Sequence, residues 1–249
     1  MCSSDLTYTL VVDAAERAKI IKNHTATHLL HQALKDVLGT HANQAGSLVT
    51  PTGLRFDFSH FGQVTSEELA EMERIVNEKI WAGLEVVTVE TTLEDAKSRG
   101  AMALFGEKYG DRVRMIQFGD SKELCGGTHV KNTGDIWFFK IISEGAVAAG
   151  IRRIEAITRG GAMQYFIEQE QLVERIKETV KNTQDPVKAI THLQEENAAL
   201  HRELEQLKKE QAKQLKANLK AEFTEINGIQ CLIKQVDAEL ATLDRKSVV

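Results

Sequence analysis

Apolar residues recur at Ile20, Ile21, Ala26, Leu29, Leu30, Ala33, Leu34 and Val37. That spacing predicts an amphipathic helix over residues 14–37, ended near Gly39. Before it, residues 8–12 alternate like the end of a strand. After it, residues 42–47 read as a loop and Ser47-Leu48-Val49 as a short strand, and Pro51-Thr52-Gly53 makes a turn. Leu54, Phe56 and Phe58 alternate with Arg55, Asp57 and Ser59, which predicts a half-buried strand and closes a hairpin. Thr65 or Ser66 caps a second helix reaching about residue 82, with Glu67 and Glu68 in its first turn. Further strands are predicted at 85–91, 113–118, 136–142 and 151–158, and a short helix at 93–99. No regular strand–helix–strand repeat appears, so the pattern predicts an α+β domain: a mixed, largely antiparallel sheet with helices.

Near residue 162 the pattern changes to almost continuous helix. Ile167, Val173, Ile176 and Val180 form one stripe, and residues 182–186 break it. Leucines at 193, 200 and 207 then lie seven apart with Leu204 between, while Asn197, Gln211 and Asn218 interrupt the complementary positions. This is a short, imperfect heptad seam, to be buried against the preceding helix as a coiled-coil-like hairpin or against another subunit. The resulting division is a body at 8–165, a helical linker at 166–222, and the opening strand and helix of a further domain at 223–243. Residues 1–6 and 244–249 read as non-native ends of a truncated gene fragment.

Composition changes little. The apolar fraction is 42%, the charged fraction 27% and the net charge −5, the profile of a soluble protein. No stretch of about eighteen apolar residues would span a membrane. Three widely spaced cysteines predict a reducing, cytoplasmic setting rather than a disulfide framework. The acidic balance argues mildly against nucleic acid, so RNA binding would need a local basic surface.

Two stretches carry chemistry. His24 and His28 are four apart on the predicted helix and share one face. About a hundred residues later comes Cys125-Gly126-Gly127-Thr128-His129. The adjacent glycines admit unusual backbone angles, so Cys125 and His129 can close on a tight turn. Three imidazoles and a thiolate make a tetrahedral zinc set. His31 lies on the same face and is a rival ligand, or else a residue behind the ligands or on the surface. A lone His-x-x-x-His is more often a packed pair, and only the two stretches together point to metal.

His24 to His31, Gly46-Ser47-Leu48-Val49, Leu54 to Phe58, residues 101–111, Cys125 to His129 and Gly150 to Ala156 occur in this order. Together they resemble the editing domain of alanyl-tRNA synthetase over residues 8–165, and the helical tail resembles the linker that follows it there. The wording of residues 103–110 and 125–129 favours this family over the threonyl-tRNA synthetase editing domain. The tail favours it over free-standing editing proteins. The resemblance implies one Zn2+ per chain held by His24, His28, Cys125 and His129, and no ligand role for His31. It implies Thr27 as a reader of the serine hydroxyl and Gln44 as a second editing residue. It implies hydrolysis of seryl- and glycyl-tRNA(Ala), with ATP and Mg2+ serving only an aminoacylation domain outside this chain.

The chemical need is clear: a pocket shaped for alanine rejects an isostere bearing one extra hydroxyl only about a hundredfold, so a second hydrolytic site is required. One of Arg152 and Arg153, on opposite strand faces, would bind a phosphate of the tRNA end, the other pairing with an acid such as Glu155. Lys108 and Tyr109 would touch RNA by charge and stacking. The alternative is a zinc-stabilised RNA-binding module without catalysis.

Overall fold

The computed structural model describes residues 9–102, 110–181, 184–232 and 235. It divides into two compact units, Met1–Gln169 and Glu170–Val249.

Residues 9–13 form no strand; Asp13 instead caps the first helix, α1 (Ala14–Leu38), its Oδ1 accepting the N–H groups of Ala15 and Glu16 at 2.9 and 3.0 Å. A capping carboxylate satisfies donors that the helix itself cannot, and this local gain displaces the strand that alternation suggested. Gly39, at φ 106°, ends the helix. The strand expected at 47–49 begins earlier, as β1 (Gln44–Val49), and pairs with β2 (Leu54–Ser59). Then come α2 (Ser66–Trp81), β3 (Val86–Thr92), α3 (Leu93–Ser98), β4 (Arg112–Phe118) and β5 (Ser121–Leu124). The 136–142 strand is displaced. Thr133–Ile136 form a 3-10 turn whose Asn132 cap accepts from the Gly134 N–H at 2.7 Å, and β6 (Phe139–Ala148) starts only afterwards. β7 (Ile151–Thr158) completes the strands of this unit.

Two antiparallel sheets result, ordered β1-β2-β7-β6 and β3-β4-β5. Phe56, Phe58, Phe139 and Ile154 from the first sheet join Ala26, Leu29, Leu30, Ala33 and Leu34 of α1, and Met72, Val76 and Ile80 of α2, in one buried core. A smaller core holds Ala96, Val113, Met115 and Leu124. Polar pins fix α1 and α2 on the sheet. Buried Asn23 donates to the Thr50 carbonyl at 2.9 Å and accepts from the Thr158 hydroxyl at 2.7 Å. Asn77 exchanges two 2.8 Å bonds with the backbone of Phe139.

At the start of α2, Thr65 and Glu68 form a reciprocal capping box. Thr65→Ala is expected to cost about 1 kcal/mol, read in urea unfolding as a lower midpoint with an unchanged slope.

The helical region starts at Arg159, not near residue 162: α4 is Arg159–Val180 and α5 is Pro186–Ala221. Leu193, Leu200, Leu204 and Leu207 of α5 are each about half exposed. Where a strand followed by a helix was expected, the described residues show a two-stranded hairpin, β8 (Thr224–Ile226) and β9 (Ile229–Cys231), turning at Asn227 and Gly228 with both φ angles positive. That is the asparagine–glycine hairpin turn. Residues 236–243 and both terminal segments, 1–6 and 244–249, lie outside the described residues. Among the described residues, no helix is long and apolar enough to cross a membrane.

Candidate metal centre

His24 and His28 project from one face of α1, and Cys125 and His129 from the turn that follows β5. One ligand atom from each lies within 4.8 Å of the other three. His24 Nε2 and Cys125 Sγ are 3.5 Å apart. Zinc bonds of about 2.0–2.3 Å at tetrahedral angles place ligand atoms about 3.3–3.6 Å apart, so the four are gathered close to a coordination shell. Nε2 of His28 and Nε2 of His129 are buried with no hydrogen-bond partner. Buried polar atoms are rarely left so, because each costs about 1–3 kcal/mol. A cation at the centre of the four would satisfy both. Three nitrogens and one sulfur suit Zn2+ better than the oxygen-seeking cations.

The turn is shaped for close approach. A Cβ on Gly127 would lie 1.9 Å from His24 Cε1, while one on Gly126 would meet nothing within 4 Å. Neither glycine has a left-handed φ. The expectation that both serve unusual backbone angles is therefore corrected: Gly127 is there because an imidazole occupies the space of a side chain. Arg114 of β4 donates to the carbonyls of Gly126 and Gly127. Thr25 ties the turn to α1: its hydroxyl donates to the Ile21 carbonyl at 2.8 Å, accepts the Val130 N–H at 3.1 Å and lies 3.4 Å from His129 Nδ1.

Burial would push the Cys125 thiol up, but the imidazoles of His129, His24 and His28 gathered around its sulfur outweigh it and hold the group at about 3. Cys125 is thus a thiolate, the form that binds metal. Burial pulls His28 down, yet the nearby Cys125 sulfur and the bond to Glu123 raise it to about 9. Burial raises Glu123, and the bond from His28 with the neighbouring His31 imidazole prevails to bring it to about 2. Burial lowers His129 against the pull of the nearby Cys125 sulfur, with the charges of His28 and His24 adding to the fall. A metal ion bound there would take the place of the extra His28 proton, because ligating imidazole is neutral.

The remaining candidates are placed differently. His31 is buried rather than on the surface, and its ring sits 5.4 Å from that of Phe56, outside the four-atom cluster. Thr27 is buried, and its hydroxyl donates to the Asn23 carbonyl one turn back at 2.9 Å. Gln44 opens β1 and donates to the Ser47 hydroxyl at 3.1 Å. Arg153 makes a bidentate pair with Asp57, at 2.6 and 2.8 Å. Arg152 does the same with Glu144. Glu155, expected to pair with one of the arginines, accepts from Ser143 at 3.0 Å. Both guanidiniums are thus engaged by carboxylates. Lys108 and Tyr109 lie outside the described residues. The sequence reading missed Glu123, Thr25 and Arg114. Only their closeness in sequence to the ligands, or to the strand before them, marked them.

Residues 113–155 match the family described as the threonyl and alanyl tRNA synthetase second additional domain. The chain is 55% identical over 240 residues to the alanine--tRNA ligase of Christiangramia forsetii, covering 96% of this chain and 28% of that protein. It is 55% identical over 227 residues to that of Flavobacterium psychrophilum (91% and 26%), and 55% identical over 233 residues to that of Enterococcus faecalis (92% and 26%). Nearly the whole chain is therefore similar to a segment of alanine--tRNA ligases, and it spans about a quarter of the length of these relatives.

Proposed function

We propose that this chain is the editing portion of an alanine--tRNA ligase. It holds one Zn2+ through His24, His28, Cys125 and His129 and hydrolyses seryl- and glycyl-tRNA(Ala). The observation that carries this reading is the gathering of those four ligand atoms within 4.8 Å, in a chain 55% identical to alanine--tRNA ligases. A zinc ion there would supply a Lewis acid for an ester carbonyl or, on gaining a further ligand, an acidified water. His28 and His129 offer it their buried, unpartnered nitrogens, and the two-ended attachment of the turn by Arg114 and Thr25 keeps the set assembled. The tRNA(Ala) acceptor end is the proposed partner. ATP and Mg2+ serve the charging reaction of the complete ligase.

Selectivity is assigned to Thr27. Its hydroxyl hydrogen is engaged by the Asn23 carbonyl, so it meets a substrate hydroxyl as acceptor. Alanine leaves that acceptor unpaired, at a cost on the order of 1–3 kcal/mol. Thr27→Val is therefore expected to lower the seryl-to-alanyl hydrolysis ratio about tenfold to a hundredfold, with zinc content unchanged and glycyl-tRNA hydrolysis less affected. Equal loss on all three substrates would assign Thr27 to the helix and leave Gln44 as the next residue to test.

One observation favours a second reading: four protein ligands form a closed set, as structural zinc sites do. In that reading the metal only folds a tRNA-binding module. A deacylation assay on seryl-tRNA(Ala) with the zinc-loaded chain separates the two. Turnover supports editing, and tRNA binding without turnover supports the module.

A further inference from the structure

Glu123 is the third residue of β5, a short strand pinned from both sides. It pairs with Ile116 of β4, while on the other edge Met102 donates to the Lys122 carbonyl at 2.8 Å and accepts from the Leu124 N–H at 3.0 Å. Its side chain turns inward and is almost wholly buried, at 3% exposure. There it meets two imidazoles of α1. Oε2 lies 2.5 Å from His28 Nδ1, and Oε1 lies 3.3 Å from His31 Nδ1, close enough for an ion pair but not aligned as a hydrogen bond. His31 is wedged against Phe56. The ring nitrogen of His28 that faces away from Glu123 is the one left bare at the metal cluster.

We propose that Glu123 is a positioning residue for the metal centre, fixing His28 as the tautomer with hydrogen on Nδ1 and its lone pair on Nε2, and that His31 braces the carboxylate from behind. This rests on the reading of the four-residue cluster as a zinc site, but names a layer that the ligand set does not contain. A buried carboxylate is costly unless it is paired. One placed as a clamp between α1 and β5 alone would be served equally by a neutral amide. A carboxylate on the remote nitrogen of a ligating imidazole fixes ring orientation and strengthens the ligand, and its loss typically weakens metal binding about 10–100-fold.

The test uses the full chain, zinc as the probe and Glu123→Gln, which keeps the shape and can still accept one hydrogen bond. Zinc affinity is read by competition with a chromogenic chelator, and the His28 tautomer by long-range proton–nitrogen NMR of the zinc-loaded chain. The expected results are a 10–100-fold weaker affinity in E123Q, a smaller loss in the same direction in His31→Gln, and in the parent an Nδ1-protonated His28 bound through Nε2. Affinity in E123Q and H31Q within twofold of the parent overturns the proposal. So does a parent His28 bound through Nδ1, a result that needs no variant to fold. A parent that binds no zinc overturns the metal reading as well, whereas a parent that binds zinc beside indifferent variants overturns this inference alone.

Discussion

Replacing Cys125 by alanine is expected to strip the purified chain of stoichiometric zinc. The thiolate is the one anionic ligand among the four, and the three histidines around it already hold it ionised at about 3. Four-ligand structural zinc sites bind with about 10–16 kcal/mol of apparent free energy. One ligand's share is then about 2.5–4 kcal/mol, a loss of affinity of about a hundredfold to several hundredfold. His31 is the only other imidazole close to the cluster in the sequence motif, but it sits against Phe56 and Glu123 and would have to leave the core to substitute. Cys231 of β9 serves as the control, being the other free cysteine among the described residues; Cys231→Ala should bind zinc like the parent. Because a metal that binds only the folded chain raises stability by mass action, a chelator should lower the melting temperature of the parent and leave Cys125→Ala almost unmoved. Tight, stoichiometric zinc in Cys125→Ala would show the ligand set to be wrong.

The features legible in the sequence were those with short-range causes. The α1 helix follows from an uninterrupted 3.6-residue apolar rhythm between Asp13 and Gly39, whereas two consecutive glycines pointed to the turn at Cys125 without showing that Gly127 is needed for space and not for backbone angle. The four-residue cluster was legible as a pair of motifs because each half is local, although only folding brings them together across about a hundred residues. What stayed hidden depended on tertiary partners. β5 is four residues long with three of them buried, so it offers no alternation to detect. The start of β6 was misplaced because Asn132 captures the chain in a 3-10 turn and Trp137 is forced to φ 70°, neither of which hydrophobic rhythm encodes. Glu123 reads as an ordinary strand carboxylate until α1 is laid over it. The sequence suggests an acid partner for only one of Arg152 and Arg153, whereas Glu144 and Asp57 across the strands engage both.

Gly127→Ala and Gly126→Ala make a paired test of how the turn works, and the expected outcomes differ sharply for neighbouring residues of the same type. At Gly126 a methyl meets nothing within 4 Å, and the backbone is not left-handed, so alanine should leave zinc stoichiometry and affinity close to the parent. At Gly127 the added carbon would stand 1.9 Å from Cε1 and 2.5 Å from Nδ1 of His24, distances that no non-bonded pair tolerates. Something must move, and the lowest-cost movement is rotation of the half-buried His24 ring, since the turn is held by Arg114 and Thr25. That rotation keeps the fold but withdraws a ligand. Gly127→Ala should therefore lose zinc affinity by about the hundredfold to several hundredfold expected for deleting one ligand, while its far-ultraviolet circular dichroism remains that of the parent. His24→Ala supplies the reference, and the double variant should be no worse than either single one, because both remove the same interaction. Equal zinc binding by the two glycine variants would mean that the imidazole does not occupy the space above Gly127 in solution, and the proposed assembly of the centre would fall with it.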